Sequence, residues 1–120
     1  MPVKSYRDLV VWQKSMELVE NVYKLTASFP KNEEFGLKSQ MRRAAVSIPS
    51  NIAEGQARNH PREFLQFSHI AMGSLSEVET QIEVSVRLSI LSAKEVEKAT
   101  SLCQEVGKML HGLANSLQRH

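Results

Sequence analysis

Apolar residues return every third or fourth position along most of the chain, and no stretch alternates apolar with polar over the length of a strand. The pattern predicts four helical segments and no sheet. The first runs from about Asp8 to Thr26, with Ser5 and Asp8 in the spacing of a capping box. It carries two apolar rows. Leu9, Trp12, Met16, Val19 and Tyr23 form one, and Val11, Leu18, Val22, Leu25 and Phe29 form another about 110° round the helix. Together they cover about half the circumference, more than one neighbour needs, so contacts on two sides are expected. "SFPKNEEFG" breaks the pattern with Pro30 and a polar turn, and it resumes near Leu37.

The third segment opens after "NHP", where Asn59 or His60 caps and Pro61 takes the first helical position. It continues through Phe64, Phe67, Ala71, Leu75, Val78, Ile82 and Val86 to about Leu91, a rod about 45 Å long. In the fourth, Ser92 and Glu95 of "SAKE" form a capping box. Val96, Ala99, Cys103, Val106, Leu110, Leu113 and Leu117 then repeat at 3,4 spacing, the seam of a bundle. Short connections favour antiparallel neighbours. The expected fold is therefore all-α, one domain over residues 1–120, an antiparallel up-down-up-down four-helix bundle.

The second segment departs from the pattern of the others. In "RRAAVSIPSNIAEG", residues 42–55, small and polar residues stand where a helix would gain from bulk. Leu37, Met41, Ala44, Ala45, Ile48, Ile52 and Gly55 make a core row. Arg43, Ser47, Ser50 and Glu54 form a polar flank, and Arg42, Val46, Pro49 and Ala53 form the other. Pro49 is thus expected off the core stripe, bending the helix toward the bundle interior because it displaces the carbonyl of Ala45. Ser47, Ser50 or Asn51 are candidates to bond the freed backbone. So thin a helix leaves room for a bundle neighbour, a second subunit or a ligand.

Composition narrows the classes. The chain has 120 residues, 42% of them hydrophobic, which suits one core. There is neither an apolar run of membrane-spanning length nor an export signal at the N-terminus, and the single cysteine can form no internal disulfide, so a cytoplasmic protein is expected. The net charge of +2 is small but unevenly spread. Residues 38–62 set Lys38, Arg42, Arg43, Arg58 and Arg62 against Glu54, a local +4. Residues 77–105 set six glutamates against three basic residues, a local −3.

Three blocks carry a family resemblance: "DLVVWQKSMELVENVYKLTASFP", "FGLKSQMRRAAVSIPSNIAEG" and "GSLSEVETQIEVS". In that order they resemble the four-helix-bundle proteins encoded in intervening sequences of bacterial 23S ribosomal RNA genes, over nearly the whole chain. Arg42, Arg43, Pro49, Ser50, Asn51, Ala53, Glu54 and Gly55 match the family motif position by position. The resemblance implies a homo-oligomer, a closed pentameric ring, and a role in binding RNA or another nucleic acid. It does not extend to Arg58 and Arg62, whose candidacy rests on charge.

For nucleic acid, the candidates are Lys38, Arg42, Arg43, Arg58 and Arg62, since guanidinium forks suit phosphate oxygens. Lys38 and Arg42, four residues apart, share a face. The competing reading puts the arginines in ion pairs with Glu77, Glu79 or Glu83, or in subunit contacts alongside Ser47, Pro49, Ser50, Asn51, Glu54 and Gly55, in a structural or adaptor oligomer with a protein partner. Trp12 and Tyr23 lie on a 3,4 stripe and are expected in the core. Enzyme chemistry finds no foothold. The residues three before His60, His69 and His111 are Ala57, Gln66 and Lys108, so no Glu-x-x-His pair exists for a di-metal site, and no phosphate-binding glycine loop or nucleophile elbow is present. Glu79 and Glu83 are expected as a solvated or ion-paired face, and Cys103 as a core residue. Neither a cofactor, a metal nor a small-molecule substrate is expected.

Overall fold

In the computed structural model, which describes residues 5–119, every helix sits where the apolar periodicity puts one. They are α1 (Val10–Thr26), α2 (Leu37–Ala57), α3 (Pro61–Arg87) and α4 (Glu97–Gln118), with short 3-10 turns at Tyr6–Asp8 and Lys31–Glu33 and no strand among the described residues. The reading of the N-terminus as free of an export signal rests partly on residues 1–4, outside the described residues.

Helix ends differ from expectation in instructive ways. The Ser5 hydroxyl accepts from the Arg7 N–H at 3.1 Å and the Ser5 carbonyl from the Asp8 N–H at 3.1 Å. Ser5 therefore caps the 3-10 turn, and α1 starts one residue after Leu9, without a side-chain cap. For α3 the cap is His60, whose Nδ1 accepts from the Arg62 N–H at 3.3 Å, with Pro61 at the first position. That helix stops at Arg87, short of Leu91, because Ser89 turns left-handed with φ 58°. The Ile90 N–H reaches the Ser85 carbonyl at 2.9 Å and the Ser89 N–H the Val86 carbonyl at 3.0 Å, a Schellman ending built on serine. Ser92 and Glu95 do exchange both capping-box bonds, at 2.9 and 3.1 Å. They close a turn, however, and α4 proper begins at Glu97.

The four helices pack in a ring in which each touches its sequence neighbours, and α4 closes on α1. Paired residues set the directions. Thr26 meets Arg42 while Trp12 shares a slot with Ala53. Ser47 meets Ser74 while Met41 meets Ser85. Leu75 lies beside Gly107 while Ile82 and Cys103 line one crevice, and Lys14 meets Glu105. Each adjacent pair is antiparallel, in a body 45 × 24 × 20 Å.

The core is drawn mostly from the expected rows: Leu18, Val22, Met41, Ile48, Ile52, Val78, Val106 and Leu110 are almost fully buried. The two rows of α1 are not equivalent. Val11, Leu18, Val22 and Phe29 face the core, whereas Met16 and Tyr23 of the other row are exposed, and Leu9, Trp12 and Val19 are half-buried. Tyr23 is therefore not the core residue its spacing indicated, because α2 covers only part of that row. Pro49 lies off the core row, as expected, but it is covered on the side toward α1. It is buried, inside a helix that continues past it to Ala57.

Along the α2/α3 seam the backbones come close. A Cβ on Gly55 would lie 2.8 Å from Phe64 Cδ1 and from Phe67 Cβ, so only glycine fits. Nearby, the Ser47 and Ser74 hydroxyls are 2.8 Å apart, and Ser47 also accepts from Asn51 Nδ2 at 2.9 Å.

Candidate binding groove between helices 1 and 2

The C-terminal half of α1, the turn before α2 and the first turns of α2 enclose an open groove of about 590 Å³. Lys38, Arg42 and Arg43 line it, with Tyr23, Phe35 and Val46. Helical phase brings the three cations together, and the polar turn "NEEFG" places Phe35 at the mouth, where 94% of its surface is exposed.

Arg42 is the best-positioned of the cations. Its Nε donates to Thr26 Oγ1 at 2.8 Å, its NH2 group to the Tyr23 carbonyl at 3.2 Å, and its guanidinium carbon lies 4.3 Å from the centre of the Tyr23 ring. The Thr26 hydroxyl in turn donates to the Val22 carbonyl at 2.8 Å. A cation thus covers the last carbonyls of α1, where the helix dipole favours it. Within the chain, then, the partner of Arg42 is a helix end and not one of the glutamates of α3. The signal available in the sequence was Tyr23 and Thr26 one turn apart at the end of an antiparallel neighbour.

The other basic candidates divide. Lys38 pairs with Glu34 at 3.1 Å, and Arg58 with Glu54 at 3.1 Å and Glu63 at 3.3 Å while lying over the Phe67 ring. Arg43 and the Arg62 side chain have no ion pair or hydrogen bond among the described residues. The local +4 of residues 38–62 is therefore diluted by carboxylates just outside it. Residues 34–63 hold the same five basic residues and three acidic ones, a net +2. The ion pair expected between the arginines of α2 and Glu77, Glu79 or Glu83 does not form within the chain, where Glu83 pairs with Arg87 at 3.0 Å.

Past Val46 the groove continues into an apolar slot of about 250 Å³ walled by Trp12, Met16, Val19, Pro49 and Ala53. Trp12 meets Tyr6 edge-on with ring centres 5.1 Å apart, and Arg7 lies 5.6 Å from each ring centre. Among the motif residues, Ser50 lines this slot and Asn51 Nδ2 donates to the Ser47 carbonyl at 2.8 Å, two residues beyond the carbonyl that Pro49 frees. Glu54 serves Arg58, and Gly55 serves the α2/α3 seam.

Elsewhere, Cys103 is buried, and burial, with the Glu79 charge as a smaller cause, pushes its thiol from 9.0 up to about 12. It is protonated at neutral pH and unreactive. Among the described residues no three His, Cys, Asp or Glu side chains are grouped to hold a metal ion, and no helix is long and apolar enough to cross a membrane.

The architecture is similar to that of a crystal structure of a protein with unknown function from the S23 ribosomal protein family of Bacteroides thetaiotaomicron VPI-5482. The TM-score is 0.81 at 24% identity, over 88% of this chain and 96% of that one, a likeness that speaks for the fold. No curated protein matches the chain significantly. The family model described as 23S rRNA-intervening sequence protein matches residues 7–112, which takes in all three sequence blocks and nearly the whole bundle, and the chain belongs to that family.

Proposed function

We propose that the protein is a non-catalytic assembly module of the cytoplasm, a bundle that self-associates by burying the outer face of α1 and α2. Phe35 carries the reading. Phe35, 94% exposed, lines one groove with Tyr23 at 41% and Val46 at 40%, and Val46 lines the adjoining slot with Met16 at 37%. Exposed apolar residues mark contact surfaces when they are continuous with a groove. Glu34 offsets the charge of Lys38, and Glu54 and Glu63 that of Arg58, while Arg42 is tied to the end of α1, which leaves less free charge than a phosphate-binding surface would use. The pentameric ring implied by the family resemblance is one closed form such association takes.

A second reading, nucleic-acid binding, draws support from one feature: three cations share a groove with two exposed aromatic rings, the combination that holds single strands by phosphate contact and stacking. Sedimentation velocity across micromolar concentrations tests the first reading, and Phe35→Ser is expected to shift the protein toward 13.5 kDa monomers. A wild-type protein that stays monomeric throughout overturns it. Fluorescence anisotropy with single-stranded RNA over a salt series tests the second. Affinity that falls steeply with salt and with Arg43→Ala supports RNA contact, and no binding at low salt removes it.

A further inference from the structure

The slot walled by Trp12, Met16, Val19, Pro49 and Ala53 has no charged side chain in its lining, yet an arginine stands at each end of it. At one end the exposed Arg7 rests on the Tyr6 and Trp12 rings, 5.6 Å from each centre, with no ion pair among the described residues. At the other, Val46 joins the slot to the groove lined by Arg43, which is also exposed and also without an ion pair there. Arg43 and Ala53 are ten residues apart in α2, about 15 Å along the axis. An extended chain covers that distance in about five residues.

The occupant that fits carries a large apolar side chain between two carboxylates. A nucleic acid has no apolar side chain for the slot, and a single-headed anionic amphiphile answers one arginine of the two. Nor does this chain offer such a segment to a second copy. Phe35 follows Glu33 and Glu34, but Glu33 accepts from the Leu37 N–H at 3.1 Å and Glu34 pairs with Lys38. Met16 precedes Glu17, which pairs with Lys14 at 3.6 Å, and Val84 follows Glu83, which pairs with Arg87. We propose that the slot is a docking site for an extended acidic segment of another protein. Its central side chain sits among Trp12, Met16, Val19 and Ala53, and its flanking carboxylates meet Arg7 and Arg43. Charge complementarity sets the register, and burial of the central side chain supplies most of the affinity. The contact goes beyond self-association and does not depend on it.

Trp12 is the one tryptophan of the chain, so its fluorescence reports on the slot directly. The probe is the capped pentapeptide Glu-Ser-Leu-Ser-Glu, titrated to millimolar concentration at fixed ionic strength, with sedimentation velocity on the same samples. A blue shift with protection from acrylamide quenching is expected. Serine in place of the leucine should weaken binding at least about tenfold. Arg7→Gln or Arg43→Gln should each weaken it about two- to fivefold, with circular dichroism confirming the fold. Glutamine in place of both glutamates of the peptide should reproduce that loss on the unaltered protein. No response of Trp12 to the peptide, or equal binding of the glutamine peptide, overturns the site. Octanoate as effective as the pentapeptide overturns it too, since the slot then takes a chain with a single head. Trp12 emission that moves with protein concentration and not with peptide means that a second copy covers the slot, which overturns docking and leaves self-association standing. A monomeric wild type that binds the peptide as expected overturns self-association alone.

Discussion

Toward α3, helix α2 presents Ser47 and Gly55, and the two backbones close until a single methyl group at residue 55 would collide with Phe64 and Phe67. Toward α1 the same helix presents Arg42, Val46 and Pro49, and that side stays open, with a groove, an adjoining slot and Phe35 at the mouth. One flank has spent its apolar surface on folding, while the other buries Pro49 but leaves Val46, Tyr23, Met16 and Phe35 exposed. The difference accounts for a helix of such low bulk. Small residues permit a tight intramolecular seam on one side, so the bundle tolerates an unfilled seam on the other.

The largest effect should come from removing bulk on the buried side. Ile52 is fully buried, and Ile52→Ala is expected to cost about 2–5 kcal/mol in urea unfolding. Phe35→Ser should change monomer stability by less than about 0.5 kcal/mol, since the ring makes little use of the fold. If Phe35→Ser proved as costly as Ile52→Ala, the division between the two flanks would collapse.

The glycines sharpen the contrast. Gly55→Ala should destabilise by about 1–3 kcal/mol, overpacking outweighing the better helix propensity. At Gly73 a Cβ meets nothing within 4 Å, so Gly73→Ala should stabilise the monomer by about 0.5–1 kcal/mol. Opposite signs in chemical denaturation are the expected result, and equal signs would mean the seam is looser than its geometry.

Adjacent arginines make a third comparison. Arg42→Met gives up two hydrogen bonds and the stacking on Tyr23, an expected loss of about 1–2 kcal/mol measured by thermal or urea unfolding. Arg43→Ala should leave folding within about 0.5 kcal/mol of wild type and act only on binding.

How far the sequence carried follows from what periodicity can encode. A repeat of 3.6 residues specifies which side of a helix is apolar, so the rows containing Leu18, Ile48, Val78 and Val106 led directly to the core. It does not specify how much of an apolar row a neighbour covers, and so Trp12 and Tyr23 looked alike although one is half-buried and the other exposed. The groove was half legible. Lys38 and Arg42 declared themselves by spacing, but the Tyr23 carbonyl and Thr26 hydroxyl that hold Arg42 lie on another helix, and that pairing exists only once α1 and α2 are antiparallel. Phe35 was visible as an isolated aromatic in a polar turn, a position where burial could not be inferred from pattern. Charge balance failed as a guide for a similar reason, since Glu34 and Glu63 fall just outside the basic segment whose cations they neutralise.

A substitution far from both flanks of α2 separates stability from association. Ser89 is left-handed at φ 58° and ends α3 through backbone bonds alone, at a position that lines neither the groove nor the slot. A non-glycine residue there costs about 1–2 kcal/mol because its Cβ crowds the carbonyl oxygen. Glycine removes that cost but gives the unfolded chain more freedom, worth about 0.5–1 kcal/mol in the opposite direction. Ser89→Gly should therefore stabilise the monomer by about 0.5–1 kcal/mol and raise the urea midpoint with an unchanged slope. The self-association constant should not move, because neither flank of α2 is touched. If association strengthened in step with stability, the assembled form would be following the population of folded bundle, and losses of association in Phe35 variants would have to be corrected for folding before being assigned to contacts.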